Sequence, residues 1–226
     1  MRKIIITGSE GLIGKQICSH FEALGDQVIK CDISLGHDLT DEVFVKNWFK
    51  DNKADYLVNL FAMNDHIDKN RGHTDLFSVS LDSFRRYMDV NLTALFSVCR
   101  EYARNNEEGA ILNFSSLYGI VSPTPEIYNN GEEKHIGYSV SKAGTIQLTK
   151  HLAAHLAPNI RVNCIAPGGI KHKQDAEFIE AYSNRTPMKR MMNVEEMCSI
   201  VDFMSSKGSS YINGATYVID GGWSTW

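Results

Sequence analysis

The chain has 226 residues, 43% of them hydrophobic, which suits one domain with an ordinary core. Its formal net charge of −4 gives no electrostatic reason to expect nucleic acid or an anionic membrane as a partner. The five cysteines are scattered with no C-x-x-C pair, which excludes a disulfide framework or a cysteine-based metal site and points to reduced thiols in the cytoplasm.

Strand-like and helix-like segments alternate along the chain, the pattern of a parallel sheet covered by helices. The first apolar run, Ile4-Ile5-Ile6, reads as a strand entering a glycine-rich turn. It stops at Thr7-Gly8-Ser9-Glu10, too soon for the ~7–15-residue apolar core of a signal peptide. No later stretch approaches the ~18 apolar residues of a membrane span. Residues 14–24 follow helical spacing, with Ile13, Ile17, Phe21 and Leu24 on one face and Gly25 as the stop. Strands are predicted over 28–32, 56–61, 110–114, 161–165 and 216–219. Helices are predicted over 41–50, 81–104, 138–156 and 194–205. Only five residues separate Asp32 from Asp38, whereas a crossover between parallel strands needs at least ~10–12. The helix that would follow the second strand is therefore expected to be missing, and that edge of the sheet abbreviated.

Thr7-Gly8-Ser9-Glu10-Gly11-Leu12-Ile13-Gly14 leaves a strand and opens a helix. Glycines allow a tight turn and close backbone approach to a pyrophosphate, and the helix N-terminus adds free N–H groups and a positive dipole end. Glycines at this spacing also suit an ordinary strand-to-helix turn; the flanking strand and helix favour the phosphate loop. Asp32 ends the second strand, 18 positions after Gly14. A carboxylate there accepts hydrogen bonds from ribose hydroxyls and repels a 2′-phosphate, which favours NAD over NADP. Glu10, and the lack of Arg or Lys directly after Asp32, point the same way.

Tyr138-Ser139-Val140-Ser141-Lys142 places a phenol and an ammonium four positions apart at the start of a long helix, on one face. A lysine beside a phenol favours the phenolate and is expected to lower the tyrosine pKa from ~10. A phenol so tuned exchanges a proton with an alcohol or carbonyl oxygen. Y-x-x-x-K is common by chance. Its place after a strand that ends in Ser115-Ser116 gives it weight.

With these motifs in place the chain resembles the short-chain dehydrogenase/reductase family, in its shorter subtype, over nearly all of residues 3–223. The resemblance implies an α/β fold: a three-layer, Rossmann-type, doubly wound parallel sheet forming one NAD-binding domain over residues 1–226. It implies that Ser116, ending Ile111-Leu112-Asn113-Phe114-Ser115-Ser116, hydrogen-bonds the substrate oxygen. Tyr138 would be the acid/base, and Lys142 would hold the nicotinamide ribose. Asn91, in Val90-Asn91-Leu92, would continue a proton relay through water to the lysine. Asp38-Leu39 resembles the adenine-contacting pair, and Asn59 the first asparagine of the central-strand motif. Pro167-Gly168-Gly169-Ile170 resembles the segment flanking the nicotinamide, with the Ile170 backbone on the carboxamide. Tyr211-Ile212-Asn213-Gly214 and Val218-Ile219-Asp220-Gly221-Gly222 resemble the family's C-terminal strand region. The implied cofactor-binding set is Gly8, Glu10, Gly11, Leu12, Ile13, Gly14, Asp32, Asp38, Leu39, Asn59, Phe61, Ala62, Tyr138, Lys142, Pro167, Gly168 and Ile170.

Several positions depart from the family pattern. Leu12 stands where the shorter subtype has its middle glycine. Asn59-Leu60-Phe61-Ala62 replaces Asn-Asn-Ala-Gly, and His172 replaces a threonine. Ser116 and Tyr138 are 22 positions apart, several more than the family norm. The added stretch, residues 123–133, reads either as a surface excursion or as a substrate lid within 117–137. A Tyr-Gly-x-x-x-Pro…Glu-Ile-Tyr excursion resembles oxidoreductases of bacterial surface-glycan and nonulosonic acid pathways. Residues 172–186 are expected to form a mobile substrate loop.

The implied reaction is hydride transfer between NAD(H) and a secondary alcohol or ketone, a sugar derivative among the candidates, as a small-molecule substrate. One alternative is a sugar epimerase or dehydratase using bound NAD, which the T-G-x-x-G-x-x-G spacing encourages. Another is a non-catalytic dinucleotide-binding regulator, which the altered Asn59–Ala62 and His172 positions motivate. The resemblance also implies a homodimer or homotetramer paired through the helices over 81–104 and 138–156.

Overall fold

A computed structural model describes residues 1–67, 76–128 and 133–226. In chain order its regular elements are β1 (Lys3–Thr7), α1 (Leu12–Ala23), β2 (Gln27–Cys31), α2 (Glu42–Asp51), β3 (Tyr56–Asn59) and β4 (His66–Ile67). There follow α3 (Leu81–Met88), α4 (Ala94–Asn105), β5 (Gly109–Phe114), β6 (Glu133–Lys134), α5 (Ile136–Leu156), β7 (Ile160–Pro167), α6 (Ala176–Arg185), α7 (Glu196–Met204) and β8 (Thr216–Ile219).

Six strands form one parallel sheet in the order β2-β1-β3-β5-β7-β8, while β4 and β6 pair separately as a short antiparallel ribbon. The period-two alternation of strand side chains sorts the core into two layers. Ile5, Leu57, Ile111 and Val162 face α2, α4 and α5, packing on Val45, Phe49, Val98, Tyr102 and Leu152. Ile4, Ile6, Val58 and Leu112 face α1 and α7, packing on Ile17, Phe21, Met197 and Val201. Strand order reverses between β1 and β3, the switch point outside which open α/β sheets bind ligands. The loops after these two strands carry Gly8 and residues 60–62.

After β2 the chain makes only one 3-10 turn, Ile33–Leu35, capped by Asp32 and closed at Gly36 with φ 81°. No α-helix lies among the described residues between Asp32 and Asp38, where it was expected to be missing, and the next helix, α2, begins at Glu42, capped by the Asp41 carboxylate.

Two expectations are corrected. The helix expected over 81–104 is interrupted: residues Asp89–Thr93 form a π turn between α3 and α4. The helical run continues from α3 through this turn into α4, so the apolar residues spanning it read as one helix in the sequence. Residues 172–186 are not a loop throughout. Asp175 accepts from the Phe178 amide at 2.7 Å and starts α6, whose Phe178 and Tyr182 join a third apolar cluster with Leu117, Met191 and Trp223. Residues 129–132 of the added stretch lie outside the described residues.

Phe49 is fully buried between α2 and the sheet, edge-on to Tyr102 at 6.4 Å. Phe49→Ala is expected to cost about 3–5 kcal/mol through lost burial and a residual cavity. Urea unfolding checks this as a lowered midpoint at unchanged slope.

Candidate active site

The turn after β1 is built so that its backbone forms the floor of a cleft. Gly8 adopts φ 69°, and a Cβ there would lie 2.5 Å from the Phe61 amide nitrogen. A Cβ on Gly14 would lie 2.1 Å from the Gly8 carbonyl oxygen, so the loop closes on α1 only with glycine at both places. Gly11 is the N-cap of α1 and provides no side-chain cap. The first amides of the helix are thus left for another acceptor, beside a cleft lined by Gly8, Gly11, Leu12, Ile13 and Gly14. This cradle fits a dinucleotide pyrophosphate.

Two connected cavities run along the C-terminal ends of the strands. One, of ≈ 1030 Å³, is lined by Asp32, Asp38, Leu39, Phe61 and Ala62, and also by Arg86 and Arg100, which the sequence did not single out. The other, of ≈ 540 Å³, holds Ser116, Tyr138, Lys142, Pro167, Gly168 and Ile170. Gly8, Gly11, Leu60 and Ala62 belong to both walls. The Asp32 carboxylate accepts from the Glu10 amide at 3.0 Å and from the Ser34 amide and hydroxyl, each at 2.9 Å. Burial acts to raise its pKa, but these donors outweigh burial and hold it below the usual value. Asp38 accepts from the Thr40 amide at 2.9 Å and is likewise lowered, chiefly by the Thr40 hydroxyl. The Glu10 carboxylate lies 3.8 Å from Lys15 Nζ.

Asn59 does not reach the cleft with its side chain. It lies inside the sheet, accepting from Thr7 Oγ1 and donating to Asn113 Oδ1, both at 2.9 Å. Its side chain belongs to a buried amide ladder that continues from Asn113 to Thr149.

Of the four residues expected to do chemistry, Ser116, Tyr138 and Lys142 line one cleft, while Asn91 contacts Ser141 of α5. Ser116 follows β5, its hydroxyl accepts from the Tyr118 amide at 3.1 Å, and it shares the cleft wall with Tyr138, which α5 presents one turn from Lys142. Lys142 Nζ donates to the Phe114 carbonyl at 2.8 Å and stands 5.8 Å from the Tyr138 ring centroid. Asn91, on the π turn, donates to the Met63 carbonyl and to Ser141 Oγ, each at 3.0 Å, and accepts from the Met63 amide at 2.7 Å. Its amide therefore ties α5 to the segment after β3; its link to Lys142 runs through Ser141.

The charge balance differs from the sequence expectation. Burial raises the Tyr138 phenol above its ordinary value, opposed by the Ser116 hydrogen bond. Burial also lowers the Lys142 ammonium to about 8. The expected depression of the phenol by Lys142 is corrected: low-dielectric surroundings disfavour both charged forms, and the ammonium is engaged by a neutral carbonyl. What the site holds in this state is a neutral phenol with a proton to give.

The opposite part of the cleft comes from the stretches expected to carry a lid and a substrate loop, although the contacts within it were not legible in the sequence. Tyr128 Oη donates to Tyr118 Oη at 2.8 Å, and both tyrosines line the cleft. Lys134 lines it too. Tyr182 Oη accepts from the Gly169 amide at 2.6 Å, fixing the Pro167–Ile170 stretch from α6. Of the described part of the added stretch, Tyr128 lines the site. Among the described residues, no helix is long and apolar enough to cross a membrane, and no cluster of His, Cys, Asp and Glu is arranged to hold a metal ion.

Comparison with known proteins agrees with this geometry. A family model described as Enoyl-(Acyl carrier protein) reductase matches residues 3–224. An uncharacterized short-chain type dehydrogenase/reductase of Sinorhizobium fredii is 32% identical across 98% of this chain, which spans only 43% of that longer protein. A 3-oxoacyl-[acyl-carrier-protein] reductase of Rickettsia bellii is 32% identical, over 96% of this chain and 95% of the relative. A short-chain dehydrogenase from Leptospira borgpetersenii, solved with bound NAD+, is 30% identical and superposes with TM-score 0.88 over 98% of this chain and 92% of that one.

The Gly8 cradle yields a direct test. Gly8→Ala is expected to weaken NADH binding at least about tenfold, which is ~1.4 kcal/mol, because the new Cβ must push the Phe61 backbone away. Titration of NADH fluorescence checks it; binding equal to that of the parent would count against the cradle.

Proposed function

Because this chain belongs to the short-chain dehydrogenase/reductase family, and is an oxidoreductase of that family, we propose that it transfers hydride reversibly between NAD(H) and a secondary alcohol or ketone, with Tyr138 carrying the proton. The observation that carries this reading is the convergence of Ser116, Tyr138 and Lys142 in one cleft continuous with the glycine cradle. The nicotinamide dinucleotide, when bound, supplies or accepts the hydride. Gly8, Gly11 and the start of α1 would hold its pyrophosphate, and Asp32 its adenosine ribose.

Ser116 orients the substrate oxygen through its hydroxyl. Tyr138 gives that oxygen a proton during reduction and takes one back during oxidation. Lys142, charged and fixed on the Phe114 carbonyl, stabilises negative charge developing on the phenol oxygen. Asn91 positions Ser141 and the Met63 backbone and thereby the face of α5 that bears the pair.

NAD is favoured over NADP because the Asp32 carboxylate, held ionised by its donors, repels a 2′-phosphate. The NAD+ bound to the Leptospira relative supports the same choice. Five buried free cysteines support a reducing cytoplasmic setting. Exposed Phe96 on α4, and Ile136 and Val140 on α5, support pairing of copies through these helices. A lid within 117–137, apart from residues 129–132, which lie outside the described residues, is supported by Tyr118 and Tyr128 in the cleft wall.

Three measurements test the reading. Tyr138→Phe is expected to lower kcat by about 10²–10⁴-fold with NADH affinity retained, and a wild-type kcat in that variant would end the proposed mechanism. Asp32→Ala is expected to narrow the ratio of kcat/KM for NAD over NADP, together with a loss of thermal stability from the freed Glu10 and Ser34 amides. An unchanged ratio would remove Asp32 from the ribose role. For pH, the sign follows from burial. Below about pH 8 both Lys142 and Tyr138 keep their protons, so reductive kcat/KM is expected to be level there. It falls as pH rises through about 8 and the Lys142 charge is lost, while oxidation, which needs ionised Tyr138 to accept the alcohol proton, gains only as pH climbs toward the raised phenol pKa. Initial rates in both directions across pH check it.

A further inference from the structure

A second ammonium stands closer to the Tyr138 ring than Lys142 does. Lys134 Nζ lies 4.4 Å from the ring centroid, against 5.8 Å for Lys142. Lys134 is placed by the β4–β6 ribbon, in register with His66, and donates one hydrogen bond to the side-chain carbonyl of Asn64. That acceptor is neutral, and a lysine carries three donors. Among the described residues no carboxylate forms an ion pair with it. Asp65 favours its charge only at longer range, and burial still pulls its pKa down to about 8. Asp175, the acidic residue of the cleft wall, uses a carboxylate oxygen to cap α6. The cleft therefore holds a poorly compensated cation beside the proton donor, and such a group gains most from an anionic ligand.

We propose that Lys134 binds a carboxylate of the substrate, one or two carbons from the reacting carbinol, so that the cleft selects 2- or 3-hydroxy acids and their oxo counterparts. The separation follows from geometry. An oxygen hydrogen-bonded to Nζ and a carbinol oxygen hydrogen-bonded to the Tyr138 phenol are kept close by the short span from ammonium to ring. No arginine lines this cleft among the described residues, so the planar fork that grips a phosphate dianion is missing, and the lysine matches a monoanion better. The position of the reacting carbon rests on the hydride-transfer reading; the anion site itself does not.

The test uses binding and turnover together. The complete protein with NADH bound is titrated calorimetrically with lactate, 3-hydroxybutyrate and gluconate, each beside its neutral partner: lactamide, 3-hydroxybutyramide and glucitol. Glycerol 3-phosphate provides the phosphate arm. At least one acid is expected to bind tenfold or more tightly than its partner. Lys134→Met is expected to erase that difference, and Lys134→Arg to keep a large part of it. Tyr138→Phe, in which proton transfer is removed, is expected to retain it. NADH affinity in each variant reports an intact cleft.

Equal binding of acids and neutral partners, binding of none of the acids, binding of the phosphate alone, or a preference that survives Lys134→Met would each overturn the proposal. Turnover separates the two readings. Acids that bind through Lys134 but are never oxidised by the parent with NAD+ would sink hydride transfer on these substrates and leave the anion site standing. A Lys134→Met variant that loses kcat equally for acid and neutral members, with no change in their relative affinity, would show the charge acting on Tyr138 instead.

Discussion

The docking of α5 across the end of β5 is the constraint on which the site depends. Lys142 Nζ donates to the Phe114 carbonyl at 2.8 Å, and Ser115 Oγ donates to the Lys142 carbonyl at 2.7 Å. A Cβ on Gly119 would lie 2.7 Å from the Lys142 carbonyl carbon, so the turn after β5 fits against the helix only as glycine. These contacts fix both ends of one short path, from the strand that delivers Ser116 to the helix turn that delivers Tyr138 and Lys142. Because β5 lies between β3 and β7, the path rests on a strand paired on both sides. Sites placed on rigid elements hold geometry more tightly than sites on loops. Asn91 extends the clamp, since one amide holds the π turn, Ser141 of α5 and the Met63 backbone together.

That closeness decides the electrostatics. Two ammoniums and a phenol are withdrawn from water within one cleft wall, and none is paired with a carboxylate among the described residues. Withdrawal pushes the phenol up and the amines down, each toward its neutral form. A phenol that keeps its proton is suited to act as an acid toward a carbonyl. Ammoniums with no carboxylate partner are stabilised when negative charge develops beside them. The same burial therefore makes the wall a proton donor and a receptor for anions, with Lys142 attached to the strand and Lys134 to the ribbon.

Much of this arrangement was legible in the sequence, because it follows from local periodicity and short spacing. The apolar run at Ile4-Ile5-Ile6, the glycines of 8–14 and the Tyr138/Lys142 pair each determine a structure within a few residues. Features that depend on distant pairing were not. Thr7, Asn59 and Asn113 stand in register on three neighbouring strands, which turns Asn59 inward to the ladder. Its identity alone could not give that direction. Lys134 belongs to no motif, and its place is set by a two-residue ribbon joining parts of the chain 68 positions apart, from 66 to 134. The π turn was hidden because the helical run continues through it from α3 into α4. For α6 a signal did exist: Asp175 is a good N-cap, and Phe178 and Tyr182 are spaced for one helix face.

The short edge beside β2 has a consequence for cofactor choice. Only a 3-10 turn lies between β2 and the Asp38-Leu39 segment that leads to α2, and the Asp32 carboxylate is fixed there by hydrogen bonds. One oxygen takes the Glu10 amide of the phosphate loop, and the other takes the Ser34 amide and hydroxyl of the 3-10 turn. The neighbouring wall is supplied by the next segment, where His37 stacks on Phe44 at 5.5 Å. Under the proposed reading, the carboxylate that discriminates NAD from NADP is also the fastener between the loop after β1 and the turn after β2. Cofactor preference and order of the phosphate loop are then coupled at one residue. A replacement that admits a 2′-phosphate must also supply an acceptor for the Glu10 amide, or it loosens the loop that binds either cofactor. A neutral acceptor such as asparagine meets both requirements better than a small apolar residue, since it removes the repulsion and keeps an oxygen within reach of the amide.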